Sequence, residues 1–481
     1  GRIDLNLRIQ PDEITLNPST IRLNDTALKA SGDLLRAERL QEARVNLDLE
    51  ADSVQPALFT ERQLPEALKT LSGRLRLDGT ADRMNATANI QSGPGTYIVT
   101  ADILDVLESP KYEDMIVQVK SANLNNFLAG FSPDIPQIQN WSGPLDFYTN
   151  LQYEPDRISL SEIRADLAGS KMSGNLTLLP QNDPLGVAGE LNFTRLVLNP
   201  GKAASPKSAA RWSEEPLNLN GLSSVSLDLT INANEFTYES WQAKDISATI
   251  RTEKGALSIS QIEAELLGGD LSGNFMISPE NNVYGLETAM DFTGVQLEDL
   301  VRTFVGSPIM QAQGKVDLTT SLSAKGNTQR AIINSLKGQG RVTGQDIILE
   351  GVDLTEFAGA LSEELKPKDT VLGLWQSARQ GGNTEFDTLS GEYSVAQGMV
   401  TIEQLTLEGP KALITTEGKV NLPAWTLQTA HTVDLKQKED IPAFTIQFNG
   451  PLDNPAQTFA QGALEDYLRR KVQRKVKDVC R

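Results

Sequence analysis

The sequence predicts a mainly β protein whose strands pair antiparallel. Apolar and polar residues alternate over many short segments, as at Val225, Leu227, Leu229 and Ile231, which is typical of strands with one buried face. One-sided alternation favours antiparallel pairing, because parallel strands covered on both faces form continuous apolar runs. The sequence contains no apolar run of about eighteen residues, so we expect no transmembrane helix within it.

Strands are predicted from the first residues of the chain. Ile3, Leu5 and Leu7 alternate with polar residues, and no initiator methionine or signal-type leader precedes them. We therefore expect the sequence to be a fragment or a processed product. Further alternating strands carry Val45, Leu47, Leu49, Leu75, Leu77, Val316 and Leu318.

A longer pattern recurs four times along the chain. Two apolar pairs are followed by a glycine 16 residues after the first apolar residue in Ile158–Gly174 and Leu257–Gly273, and 18 residues after it in Ile14–Gly32 and Val400–Gly418. We interpret each copy as strand, short turn, strand, turn, strand. The copies begin 144, 99 and 143 residues apart. This spacing indicates a recurring supersecondary unit with variable insertions and not a strict solenoid period.

Short amphipathic helices are predicted between some of these strands. Asn123, Gln296 and Asp353 each precede apolar residues at helical spacing, so each is a candidate helix cap. We expect these helices to plug an open end of a sheet.

The length of 481 residues allows two or three domains or one long repetitive body. Residues 200–216 are rich in proline, serine and lysine and lack periodicity, which predicts a loop. We therefore predict an N-terminal β region at 1–199, a second β region at 217–455 and a C-terminal helix at 456–481.

The C-terminal segment differs from the rest of the chain in charge. Residues 460–481 contain seven basic and three acidic residues, a local net charge of +4, so the other 459 residues carry −23. The apolar stripe and the basic face of the predicted helix comprise Leu464, Leu468, Arg469, Arg470, Lys471, Val472, Arg474, Lys475 and Val476. Such a helix can lie on an anionic membrane surface, or it can pack on the end of a sheet with a solvated basic face. Both interpretations stay open on the sequence.

Composition argues against several function classes. The net charge of −19 disfavours nucleic acid as a partner, because nucleic-acid binding needs a basic surface. The single cysteine, Cys480, and the single histidine, His431, provide no disulfide or metal cluster, so we predict no metal site and no cofactor. His431 lies in a predicted strand without a nucleophile motif nearby, which is more typical of a strand-surface residue than of a catalytic base. We predict no catalytic residues and no enzymatic activity.

An ordered series of motifs runs from Trp212 to Pro455. It comprises Trp212, Ser213, Pro216, Leu217, Leu219 and Leu222, the Leu227 and Leu229 strand, Gly268, Gly269 and Gly273, Gly314, Val316, Leu318, Gly326, Leu336, Gly338 and Gly340, Ile348, Gly351, Val352, Asp353 and Leu354, and Gly450, Pro451, Leu452, Asn454 and Pro455. This series resembles the C-terminal region of the AsmA family, whose relatives include TamB. The resemblance covers about half of the chain.

The resemblance implies an envelope protein of Gram-negative bacteria, located in the periplasm and tethered to the inner membrane by an N-terminal helix that is missing from this sequence. It implies an elongated, strongly curved antiparallel sheet, a β-groove, whose apolar concave face carries phospholipid acyl chains between the inner and outer membranes. The lining candidates are Val45, Leu47, Leu49, Leu75, Leu77, Val225, Leu227, Leu229, Ile231, Val316 and Leu318.

Two alternatives to this hypothesis remain. Alternation alone does not distinguish a lined groove from the sealed core of a sandwich or barrel. The protein could also be a structural scaffold or assembly factor for outer-membrane proteins or another envelope complex, holding an envelope protein partner at a free sheet edge.

Overall fold

The computed structural model describes residues 2–23, 26–55, 66–131, 141–198, 211–238, 241–281, 283–305, 311–362, 371–379, 381–436, 441–460 and 462–479. Within these ranges the chain forms 25 β-strands and six α-helices. The predicted mainly β fold with short helices and a C-terminal helix is confirmed. The chain divides into unit 1, residues 1–205 and 223–252, and unit 2, residues 206–222 and 253–481.

Unit 1 is a sheet of fourteen strands with one α-helix among its described residues. Its strands are β1 (Arg2–Ile9), β2 (Glu13–Leu23), β3 (Thr26–Leu35), β4 (Arg44–Val54), β5 (Leu71–Gly79), β6 (Arg83–Ser92), β7 (Gly95–Leu104), β8 (Lys111–Ser121), β9 (Leu145–Glu154), β10 (Arg157–Leu167), β11 (Ser170–Leu179), β12 (Leu185–Leu198), β13 (Val225–Tyr238) and β14 (Trp241–Glu253). Helix α1 (Leu124–Phe131) follows β8, and a short 3₁₀ turn spans Glu66–Leu68.

Unit 2 contains the remaining strands and helices. Its strands are β15 (Ala256–Leu266), β16 (Gly269–Glu280), β17 (Val283–Gln296), β18 (Gln311–Gly326), β19 (Lys337–Glu350), β20 (Asn383–Ala396), β21 (Met399–Glu408), β22 (Leu413–Asn421), β23 (Thr426–Asp434), β24 (Phe444–Pro451) and β25 (Ala456–Ala460). Its helices are α2 (Leu297–Val305), α3 (Gln329–Ser335), α4 (Leu354–Ser362), α5 (Val371–Ala378) and α6 (Gly462–Val479).

Within each unit, strands adjacent in sequence pair with one another. Pairing is antiparallel from β1 to β12 and from β15 to β25, as the one-sided alternation predicts. The pair β12 and β13 is parallel, with Leu185 opposite Val225. A parallel pair needs a long crossover connection, and residues 199–224 supply it.

The predicted loop at 200–216 lies partly outside the described residues, which resume at 211. Residues 211–216 contain one isolated bridge, from Pro216 to Thr328, and Trp212 Nε1 donates a hydrogen bond to the Leu422 carbonyl oxygen at 2.9 Å. The described part of this segment therefore packs within unit 2. The domain boundaries drawn from the sequence stay a prediction.

The turn predicted inside each repeated pattern is wrong. Ile158, Leu160, Ile163 and Ala165 lie on a single strand, β10, whose register shifts between Leu160 and Ile163. In a regular strand the two apolar pairs would face opposite sides, because their spacing is odd. A β-bulge adds one residue and returns both pairs to the same face. Strands β2, β15 and β21 carry the same register shift in the other copies.

The closing glycine of the pattern pairs with the second apolar pair of the preceding strand. Gly174 lies opposite Ile163 and has a φ of +149°. A Cβ atom at this position would lie 2.0 Å from the Glu190 carbonyl oxygen on the next strand. The close approach of the two backbones therefore requires glycine here.

The predicted helices form where their caps were placed. Asn123 Oδ1 accepts a hydrogen bond from the Asn126 backbone N–H at 2.9 Å, and Asp353 Oδ1 accepts bonds from the Thr355 and Glu356 backbone N–H groups. Each side chain satisfies backbone donors of the first helical turn that lack intrahelical partners. The C-terminal helix begins at Gly462 and not at 456, because Ala456–Ala460 pairs with β24 as strand β25.

Buried apolar side chains concentrate in unit 2. Its main core includes Phe357 and Leu361 of α4, Trp375 of α5, Phe444 of β24 and Leu464 of α6. In unit 1 the described residues contain one small cluster, Val119, Leu124 and Leu145, beneath α1. The two units thus differ in how much of their sheet the helices cover.

Candidate functional site

The apolar faces of neighbouring strands are aligned by the strand register. Leu47 lies opposite Leu77, and Leu49 lies opposite Leu75, between β4 and β5. Directly opposite residues share one face of a sheet. One row across β3–β8 consists of Ala30, Leu49, Leu75, Ala88, Val99 and Val117, each opposite the next. The row joins the apolar faces of six strands into one surface.

A second set of rows crosses the remaining strands of unit 1. One consists of Leu151, Leu160, Leu176, Gly189, Leu229 and Ile250, and the row beside it of Ile158, Leu178, Val187 and Leu227. Thr149 is the polar exception on β9, and its hydroxyl donates a hydrogen bond to the Ser161 carbonyl oxygen at 2.9 Å. That polar group is therefore satisfied within the sheet and does not interrupt the apolar surface.

The structure places nine of the eleven predicted lining residues on β4, β5 and β13 of unit 1 and two on β18 of unit 2. Ten of them are half-buried, including all nine in unit 1. Val316 is 1% exposed and belongs to the main core of unit 2, so its prediction as a lining residue is wrong. The sequence analysis did not select Val99, Val117, Leu176 and Val187, although the same alternation marks their strands.

In unit 2 part of the apolar face is covered by helices. Ile347, Phe386, Ile414 and Val433 of β19–β23 are buried in the core that α4, α5 and α6 complete. The Phe357 ring lies 5.3 Å from both Trp375 and Phe444, in edge-on contacts that favour close packing. The same alternation therefore gives a sealed core in this region and a half-exposed face in unit 1.

The first turns of α6 belong to that core. Leu464 is fully buried, Tyr467 and Leu468 pack against the cluster, and Lys471 Nζ donates a hydrogen bond to the Leu361 carbonyl oxygen at 2.8 Å. Arg469 and Arg470 are exposed. These contacts match the interpretation in which the helix packs on the sheet with a solvated basic face. The side chains of the remaining predicted residues, Val472, Arg474, Lys475 and Val476, lie outside the described part of the chain.

His431 is a structural residue of the covered face and is largely buried, not the surface residue predicted. Its Nδ1 and Nε2 lie 2.8 Å and 3.0 Å from the hydroxyl oxygens of Thr416 and Thr429, and its ring packs edge-on against Phe448. Burial lowers the pKa of His431 to about 4. The imidazole is therefore neutral at physiological pH, with both nitrogens already engaged.

The opposite face of the unit 1 sheet is polar. A cavity of about 570 Å³ there is lined by residues that include Tyr148, Arg164 and Asp166. Arg164 pairs with Glu162 at 3.0 Å and lies over the Tyr148 ring, and Asp166 accepts a hydrogen bond from the Gly169 backbone N–H. These side chains stabilise the strands and turns that carry them. Across the described ranges, no group of three or more His, Cys, Asp or Glu side chains is placed to hold a metal ion.

Two family models match the chain in succession. The TamB C-terminal domain model matches residues 19–195, and the AsmA family model matches residues 197–405. The chain is also 22% identical to Protein AsmA of Escherichia coli K-12 over 317 residues, which is 62% of this chain. The chain is an AsmA-like protein.

This AsmA-like chain spans about half the length of the curated relative it matches. The TamB match covers strands β2–β12 of unit 1, and the AsmA match extends from there to β21 of unit 2. The half-exposed rows thus fall mainly within the region similar to TamB. None of the helices in the described ranges is long and apolar enough to cross a membrane.

Proposed function

We propose that this AsmA-like protein binds phospholipid acyl chains on the uncovered apolar face of unit 1 and carries them between the inner and outer membranes of a Gram-negative envelope. The observation that supports this proposal is the half-burial of aligned apolar rows across β3–β14. The AsmA and TamB families are associated with envelope transport or assembly of lipids and proteins. The same association supports the periplasm as the location, with an inner-membrane tether as a further expectation.

The physical requirement for carrying lipid through water is a continuous apolar surface. Exposure of an acyl chain costs about 0.8 kcal/mol per methylene, so a sixteen-carbon chain costs on the order of 12 kcal/mol. Rows such as that from Leu151 to Ile250 offer apolar contact from one strand to the next at about 4.8 Å per strand. A chain could therefore move along the rows without entering water.

The chemistry of the face suits a ligand that slides. Its side chains are largely aliphatic, so they provide contact without the directional hydrogen bonds that hold a ligand in one pose. The proposal includes no chemical step and needs no cofactor.

Native mass spectrometry with lipid extraction tests the proposal. The wild-type protein should co-purify with phospholipid, and the double variant L227D/L229D, which places two carboxylates on the row, should lose it. A matched control, S226D/T230D, adds the same charges to the opposite face of the same strand and should keep the lipid. Circular dichroism must show that all three proteins are folded. A folded, lipid-free wild type would contradict the proposal.

A second candidate is an assembly factor that holds an envelope protein partner. Strand β1 pairs with β2 on one side, and no other strand of the described chain pairs with it. Its residues, including Ile3, Leu5, Leu7 and Ile9, are exposed. An unpaired edge can accept a strand from a partner. Recovery of a lipid-free, folded protein would place this candidate ahead.

A further inference from the structure

Exposed apolar side chains lie along one edge of the unit 1 sheet. Ile9 ends β1, Leu107 lies in the turn between β7 and β8, Tyr112 and Leu185 lie at the starts of β8 and β12, and Tyr153 lies at the end of β9. The antiparallel register places all five at the same edge, which we term the open rim. Their exposed fractions range from 41% to 66%.

The open rim is continuous with the apolar face through cross-strand pairs. These pairs are Ile9 with Ile14, Tyr112 with Ile103, Tyr153 with Ile158 and Leu185 with Val225. Directly opposite residues share a face, so the rim side chains lie on the same side of the sheet as the rows. An acyl chain crossing this edge would meet apolar side chains at each step.

The opposite edge is covered over β5–β9. Helix α1 packs there, with Phe127 beside Tyr97 and Leu124 in the buried cluster. Ala67 of the 3₁₀ turn is buried, and Ser92 Oγ donates hydrogen bonds to the Ala67 and Thr70 carbonyl oxygens. Access to the rows over these strands is therefore more open from the rim than from the opposite edge.

The charges beside the open rim indicate what can cover it. The turns at 10–13, 105–111, 154–157 and 180–184 hold seven acidic and two basic residues. A second copy docked rim to rim would bring two acidic sets together, and an anionic membrane would also be repelled. A zwitterionic lipid surface presents no such net charge. The two tyrosines add amphipathic side chains of the kind enriched at membrane interfaces.

We infer that the open rim docks on a zwitterionic phospholipid surface and is the edge over which acyl chains reach the apolar face. This inference rests on the proposed function, since it gives that face its route of entry. It assigns Leu107, Tyr112, Tyr153 and their neighbours on the rim a role in lipid loading.

A fluorescence experiment tests the rim directly. Cys480 is replaced by serine, a single cysteine is introduced at Leu107 or Tyr153, and an environment-sensitive nitrobenzoxadiazole label is attached. On addition of phosphatidylcholine vesicles, emission should rise about threefold as the label leaves water for an apolar layer. The matched control carries the label at Tyr238, which is 44% exposed at the opposite edge, and should stay unchanged. Phosphatidylglycerol vesicles should give a smaller rise.

Several outcomes would overturn the inference. These are no rise at the rim, an equal rise at Tyr238, or a rise with protein concentration alone, which would indicate a second copy. The L107D/Y153D variant should also lose co-flotation with phosphatidylcholine vesicles while its circular dichroism stays unchanged.

Lipid extraction from the same preparations separates this inference from the proposed function. Wild type that retains phospholipid but shows no rim signal would leave the proposed function standing and refute the rim. A rim signal from a lipid-free protein would refute carriage on the face and leave a docking edge.

Discussion

At the scale of single residues, the clearest electrostatic consequence of the fold concerns His431. Its ring is neutral in the folded protein because burial among Thr416, Thr429 and Phe448 disfavours the charged form. Its pKa of about 4 lies below the ordinary value of 6.5 that the unfolded chain would have. The unfolded state therefore takes up a proton first as the pH falls.

This difference predicts a loss of stability in acid. The contribution of His431 is full above pH 6.5 and is lost as the pH falls toward 4, by up to about 3 kcal/mol. Urea unfolding of wild type and H431Q at pH 7 and pH 4.5 measures it, since glutamine cannot gain the proton. The stability difference between the two proteins should narrow or reverse at the lower pH. Identical pH dependence in both proteins would contradict the burial of a neutral ring.

At the scale of elements, the structure distinguishes covered from uncovered stretches of sheet. Leu464 on α6 is fully buried in the unit 2 core, whereas Leu229 on β13 is half-buried on the unit 1 face. We expect L464A to cost about 2–4 kcal/mol, because it leaves a cavity, and L229A to cost about 1 kcal/mol. Chemical denaturation followed by probes in each unit measures both. Equal costs would mean that the unit 1 face is as well covered as the core.

The elements themselves were largely predictable from the sequence. Alternation identified strands such as β4, β10 and β13, and the cap residues Asn123 and Asp353 marked the starts of α1 and α4. The bulges were not predictable, because apolar pairs at odd spacing fit either a turn or an extra residue in one strand. The glycine at 174 carried the missing signal, since it pairs directly across the bulged strand.

At the scale of the whole molecule, the sequence could not decide between a sealed core and a lined face. Both occur, and what separates them is the packing of helices far away in sequence. Phe386 of β20 and Leu229 of β13 carry the same alternation, yet α4, α5 and α6 cover only the former. Val316 was misjudged for this reason. The rim residues were also missed, because only the register brings Ile9, Tyr112 and Leu185 to one edge.

The central claim is that lipid occupies the uncovered face and not the covered one. Photo-crosslinking tests it most directly, with a photoreactive amino acid placed at Leu229 or Leu176 on the uncovered rows and at Ile446 in the unit 2 core as the control. Proteins isolated from a Gram-negative host should form phospholipid adducts at the first two positions and none at Ile446. Absence of adducts at Leu229 and Leu176, or equal labelling at Ile446, would contradict the account.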